Sequence, residues 1–121
     1  MQYRLKKISG DASFREFYRI QKGSKSSIIV FAEKDKFKNL VTYSAVNEIL
    51  NKNGILAPKL ISNLTKKNII EISDLGKISF YDFIKNKKNK TTNYKKLIDI
   101  IIKIQKIKLK EKYNFKNNKI R

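Results

Sequence analysis

Residues 27–54 read SIIVFAEKDKFKNLVTYSAVNEILNKNG, and the period of the apolar residues changes inside this stretch. Ser27-Ile28-Ile29-Val30-Phe31-Ala32 is a short β-branched run, the pattern of a strand buried on both faces. Beyond the charged segment 33–36, Leu40, Val41, Ala45, Val46, Ile49 and Leu50 recur at the three- and four-residue spacing of a helix. Asn53-Gly54 supplies the residue types that adopt a left-handed helix C-cap. A buried strand therefore leads into a helix, and the flanking segments must supply the rest of the sheet.

On the N-terminal side, Tyr3-Arg4-Leu5-Lys6-Lys7-Ile8 alternates loosely and stops at the turn cluster Ser9-Gly10-Asp11. Phe14 to Ile20 is a second strand candidate, rich in aromatic and charged residues, and Lys22-Gly23-Ser24 is a hairpin signal. Three strands in a meander are predicted. On the C-terminal side, Ala57-Pro58 imposes an extended entry, so Lys59-Leu60-Ile61 reads as a fourth strand. Thr65 to Asn68 reads as a turn and Ile69-Ile70-Glu71-Ile72 as a fifth strand, ending in the connector Ser73-Asp74-Leu75-Gly76. Ser79 and Asp82 resemble a capping box for a short helix over Tyr81 to Ile84. Leu97, Ile100, Ile101, Ile104 and Ile107 then form a helical stripe, widened by Ile98, Ile102 and Leu109. A helix so broadly apolar needs partners on several sides, while the residues from Lys110 onward read as a polar, exposed tail. The fold is accordingly expected either to continue beyond this chain or to be completed by oligomerisation.

The chain has 121 residues, with 29 Lys and Arg against 10 acidic residues and a formal charge of +19. It has no Cys, which excludes disulfides, thiolate metal sites and Cys nucleophiles. It has no His, which removes the commonest metal ligand and the usual neutral-pH general base. No apolar signal-peptide core follows the basic N-terminus, and the longest apolar run, Ile28 to Ala32, is far too short for a bilayer span. A cytoplasmic protein without a membrane partner is expected. Only four of the basic residues are Arg, and nearly half the chain is Lys, Ile or Asn, all with A/T-rich codons. A Lys-rich solvated surface is therefore favoured over a nucleic-acid interface, which would show steeply salt-dependent phosphate binding.

Three segments resemble one family. Gly10-Asp11-Ala12-Ser13-Phe14-Arg15, followed by Glu16-Phe17 and Tyr18-Arg19, is similar to the first signature of aminoglycoside phosphotransferase/choline kinase-like proteins. The nearest branch phosphorylates N-acetylmuramate and N-acetylglucosamine at the anomeric position. Gly54 to Ile61, with Pro58 at its centre, resembles the start of that family's fourth strand, and Ser73-Asp74-Leu75-Gly76 resembles the Glu-Asp-Leu-Gly hinge between its two lobes. The resemblance implies an α+β, protein-kinase-like N-lobe over residues 1–76, a five-stranded antiparallel sheet with one packed helix. Residues 77–121 would be the hinge-proximal start of a helical C-lobe, incomplete here.

A turn of small residues between two strands lets backbone N–H groups approach phosphate oxygens, which suits Gly10, Asp11, Ala12 and Ser13. Asp11 fits turn capping better than phosphate binding. Phe14 and Arg15 follow, and Arg15 is either a bidentate phosphate ligand or a solvent-exposed residue of an ordinary hairpin. By the resemblance, Ile72, Ser73, Asp74 and Leu75 would meet the adenine edge of ATP through their backbone, with Ile8, Ile20 and Ile29 as apolar candidates around the base. Glu48 would pair with a phosphate-binding lysine, yet the third strand has no Lys at its centre, as is common in the amino-sugar branch. The first cations beyond it are Lys34 and Lys36, and Glu48 reads equally as a solvated helix residue.

Phosphoryl transfer also requires a catalytic Asp and carboxylate ligands for Mg²⁺. The family carries these on a His-x-Asp loop and a later Asp, beyond the long helix. The sequence holds no His, and its last acidic residue is Glu111. The expectation is the nucleotide-binding part of an ATP- and Mg-dependent amino-sugar kinase, inactive as it stands, whose C-lobe a separate chain could carry. The alternatives are a basic nucleic-acid-binding module and a non-catalytic subunit docking through the 97–109 helix.

Overall fold

A computed structural model describes residues 2–8, 14–33, 37–108, 113–114 and 119–120. The elements are β1 (Tyr3–Ile8), β2 (Arg15–Lys22), β3 (Lys25–Ala32), α1 (Phe37–Lys52), β4 (Leu60–Leu64), a 3-10 turn (Thr65–Lys67), β5 (Ile69–Ser73), α2 (Phe80–Ile84) and α3 (Thr91–Gln105). The architecture is α+β. Five antiparallel strands lie in the order β1-β2-β3-β5-β4, with α1 inserted between β3 and β4 in the chain.

Local chemistry accounts for the joints. β2 and β3 pair from Arg15↔Ala32 to Lys22↔Lys25 around a two-residue loop, where Gly23 takes φ +61°, a conformation glycine adopts without Cβ strain. α1 ends where Gly54 turns left-handed and the Ile55 N–H bonds back to the Leu50 carbonyl at 2.9 Å. The Asn51 side chain then holds the exit: its amide donates to the carbonyls of Asn47 and Ala57, each at 3.0 Å, and its Oδ1 accepts from the Ala57 N–H at 3.3 Å. Pro58 is thereby fixed close beneath α1.

Register decides which face is the core. Phe17 opposes Val30, Ile28 opposes Ile72, and Val30 opposes Ile70, so all of them point to the same side of the sheet. Val30, Leu40 and Ile70 are fully buried there with Ile28, Ala32 and Ile72, and Ile8, Phe17 and Tyr43 pack at the margin. Each of the three fully buried side chains contributes about 1.5–3 kcal/mol by leaving water. On the opposite face Ser27 donates a 2.7 Å hydrogen bond to Glu71, and the apolar side chains are only half-buried.

Two regions depart from the sequence-based expectation. The short helix opens one residue earlier, at Phe80, and Ser79 caps it by accepting from the Asp82 N–H at 3.1 Å. The tail, expected to be polar and exposed with no regular element, contains a small antiparallel pair with Tyr113 opposite Ile120 and Asn114 opposite Lys119. α3 has the expected helical stripe but buries none of its residues. Ile98, Ile100, Ile101, Ile102 and Ile104 remain 40–53% exposed. Its link to α2 is an edge-to-face contact of Tyr94 on Phe80, with centroids 5.8 Å apart. No helix among the described residues is long and apolar enough to cross a membrane.

Candidate functional site

The α1 side of the sheet carries a hollow of about 330 Å³ beside the chain segment that leaves β5. Its apolar wall is Ile8 of β1, Phe17 of β2, Ile28 of β3 and Ile72 of β5, with Tyr43 of α1 and Pro58 closing it from the helix side. The backbone from Ser73 to Gly76 forms the remaining edge. The strand register explains this set, because Ile8, Phe17, Ile28 and Ile72 all project from one face. Ile20 and Ile29, expected near the same ligand, alternate onto the other face and do not line it.

An ion pair sets the position of the edge. Arg19 on β2 grips Asp74 with Nε to Oδ2 at 2.7 Å and Nη2 to Oδ1 at 3.2 Å, and it also donates to the Gly76 carbonyl at 3.0 Å. The hydroxyl of Ser26 donates to Asp74 Oδ2 at 2.8 Å, and the Gly76 N–H to Oδ1 at 2.9 Å. Both charged side chains are largely buried, 16% exposed for Arg19 and 7% for Asp74. The Arg19 guanidinium, opposed in part by burial and helped by Gly76 and Ser26, holds the Asp74 carboxyl well below the usual carboxylate range. The same contact raises the proton affinity of Arg19. From the other side, the Ser73 N–H donates to the Lys59 carbonyl at 2.9 Å, and the Lys59 N–H donates to Ser73 Oγ at 2.8 Å.

The expected ligand groups on this edge are thus unequal. Ile72 belongs to the core and contributes its apolar side chain, while the Ser73 N–H and the Asp74 carboxylate are consumed internally. Leu75 makes no backbone hydrogen bond among the described residues and is 55% exposed, and the backbone N–H and C=O of Asp74 are likewise without one there, so both residues offer backbone groups on this edge. Arg15 does not line the hollow; its guanidinium stands 4.7 Å from the centroid of the ring of Tyr43, which does and which itself meets Phe17 edge to face at 6.1 Å. Arg15 and Arg19 project from the same face of β2 four residues apart, about 13 Å along the strand. Phe14 is exposed.

Glu48 stands elsewhere. It is exposed on α1 and paired with Lys52 at 3.1 Å, beside a separate cavity lined by Ser44, Asn51 and Pro58. Gly10, Asp11, Ala12 and Ser13, together with Lys34 and Lys36, lie outside the described residues. No cluster of three or more acidic residues that could hold a metal ion occurs among the described residues, and the best placed carboxylate, Asp74, is already saturated by Arg19, Ser26 and Gly76. The described residues therefore do not fit a Mg²⁺ site.

Sequence reasoning missed Tyr43 and Ile28 as lining residues and Arg19 as the partner of Asp74. The signal for Arg19 was its place at the end of the first signature, where no long-range partner is legible. The chain matches no family model, no curated protein and no solved structure.

Proposed function

We propose that this chain is the nucleotide-binding part of an ATP-dependent small-molecule phosphotransferase, a protein-kinase-like N-lobe of the aminoglycoside phosphotransferase type acting on a cell-wall amino sugar. One observation carries the reading. The three segments that resemble the family, far apart in sequence, converge on a single hollow: Phe17 and Arg19 from the first, Pro58 from the second, and Ser73 to Gly76 from the third. An apolar slot with a hydrogen-bonding backbone edge suits a planar base. In this reading Leu75 pairs with the base edge, Ile8, Phe17, Ile28 and Ile72 sandwich it, and Arg15 receives the phosphates together with the backbone of residues 10–13. In this reading magnesium and the groups that activate the sugar hydroxyl come from outside the hollow, since its lining holds no free carboxylate among the described residues.

Thermal-shift titration tests this with adenosine, cytidine and ATP at about 0.3 M salt, where bulk charge attraction is screened. The expected result is a saturable shift with adenosine and ATP and none with cytidine, the ATP shift being reduced in Arg15→Ala. A cooperative melt that ignores both adenosine and ATP, with salt-sensitive binding of an oligonucleotide, would replace this reading with a basic nucleic-acid-binding module.

A further inference from the structure

A second cavity, about 450 Å³, adjoins the hollow and shares Ile8 and Arg19 with it. Its other lining residues are Arg4, Lys6, Lys7, Gln21 and Lys77, so five cations and no carboxylate face one space. Two of the five are neutralised: Arg19 by Asp74, and Lys7 by Glu16 at 3.8 Å. Arg4, Lys6 and Lys77 have no carboxylate partner among the described residues.

The fold creates this convergence. Arg4 and Lys6 point to the same side of β1 as Ile8, opposite Gln21 and Arg19 of β2, and Lys77 is brought up by the connector that Arg19 and Asp74 hold. Like charges gathered on one concavity repel one another unless an anion enters, and the Gln21 amide adds a neutral donor. The cavity also has a direction. Lys6 and Arg4 lie about 7 and 13 Å back along β1 from Ile8, away from the end of the strand that leads into residues 9–13. The cations are therefore separate from Arg15 at the other end of β2.

We propose that Arg4, Lys6 and Lys77 form an oligophosphate-binding site, independent of the nucleotide reading above. Three features select this ligand class. The charge asks for more than one negative group, the half-open concavity of about 450 Å³ admits a small polyanion, and no lining residue is aromatic, so nothing there stacks on the bases of a nucleic acid.

Calorimetric titration with inorganic tripolyphosphate at about 0.1 M salt provides the test. Arg4→Gln/Lys6→Gln/Lys77→Gln should weaken binding about tenfold or more, whereas Lys95→Gln/Lys96→Gln/Lys103→Gln on α3, which removes the same charge, should change it less than about twofold. Both variants alter exposed side chains, and superimposable thermal melts verify their folding. If ATP displaces tripolyphosphate, the bound group can come from a nucleotide; if it does not, the ligand is a free oligophosphate, and the site stands in both cases. Equal losses in the two variants, or unchanged binding in the first, would overturn it. An oligonucleotide that binds more tightly than tripolyphosphate through the same three cations would overturn it in favour of a nucleic-acid surface. Failure of adenosine to bind, with the tripolyphosphate result intact, would remove the nucleotide reading and leave this site in place.

Discussion

The sheet body and α3 are built from much the same residues, isoleucine and lysine, yet they end in opposite states. Ile28, Ile70 and Ile72 are at most 7% exposed, whereas Ile98, Ile100, Ile101, Ile102 and Ile104 are at least 40% exposed. In the sheet, an apolar side chain is buried because paired strands align it with others on one face and α1 covers that face with Leu40 and Tyr43. On α3 the apolar residues spread around more than one side, none is buried, and the aromatic contact it makes is with Phe80. Hydrophobic patterning thus selects an element, and burial still depends on a second surface being present.

The sharpest way to break this comparison is a matched pair of truncations. Ile70→Ala should cost about 3–4 kcal/mol through lost transfer energy and the cavity left behind, while Ile101→Ala should change stability by less than about 0.5 kcal/mol. Urea unfolding followed by circular dichroism reads both, and similar costs would mean that α3 is packed in solution.

The next effect concerns the joint between the two regions. Asp74→Asn should lower stability by about 2–3 kcal/mol at neutral pH, because Arg19 is left largely buried and uncompensated. It should also flatten the acid limb. The folded carboxyl is held below its ordinary range, so an unfolded Asp74 binds a proton more readily. The ion pair's stabilising share is then complete above about pH 5 and fades as pH falls below about 4. Stability measured from pH 7 to pH 3 should fall more steeply in the parent chain than in Asp74→Asn; parallel curves would show that the pair contributes little.

A small change in stability is also expected for Ile98→Ser/Ile101→Ser/Ile102→Ser, within about 1 kcal/mol, since the replaced side chains are already exposed. Binding of an apolar dye and concentration-dependent self-association should both drop in this variant. Unchanged dye binding would place the accessible apolar surface elsewhere.

Much of the local structure was legible because short-range chemistry writes it. The strand at Ile28 to Ala32, the cap at Gly54, the Lys22-Gly23-Ser24 turn and the Ser79–Asp82 cap each depend on residues within a few positions of one another, and all are present. The site was legible only in outline. Ile8 and the connector residues Ile72 to Leu75 were expected at a ligand and line the hollow, but Ile20 and Ile29 were grouped with them because composition does not report facing. Only pairing register separates Ile28 from Ile29, one residue apart and on opposite sides of the sheet.

The amino-acid order alone was sufficient for the strand and helix segments, their turns, and the absence of histidine and cysteine chemistry, since each rests on local geometry or on composition. Three things required the folded chain: the side of the sheet that α1 covers, the meeting of Arg19 with Asp74 across 55 residues, and the gathering of Arg4, Lys6 and Lys77 about one cavity. These are non-local. Each depends on strand register and on the path of a connector, and a sequence encodes those only through the packing of the whole domain.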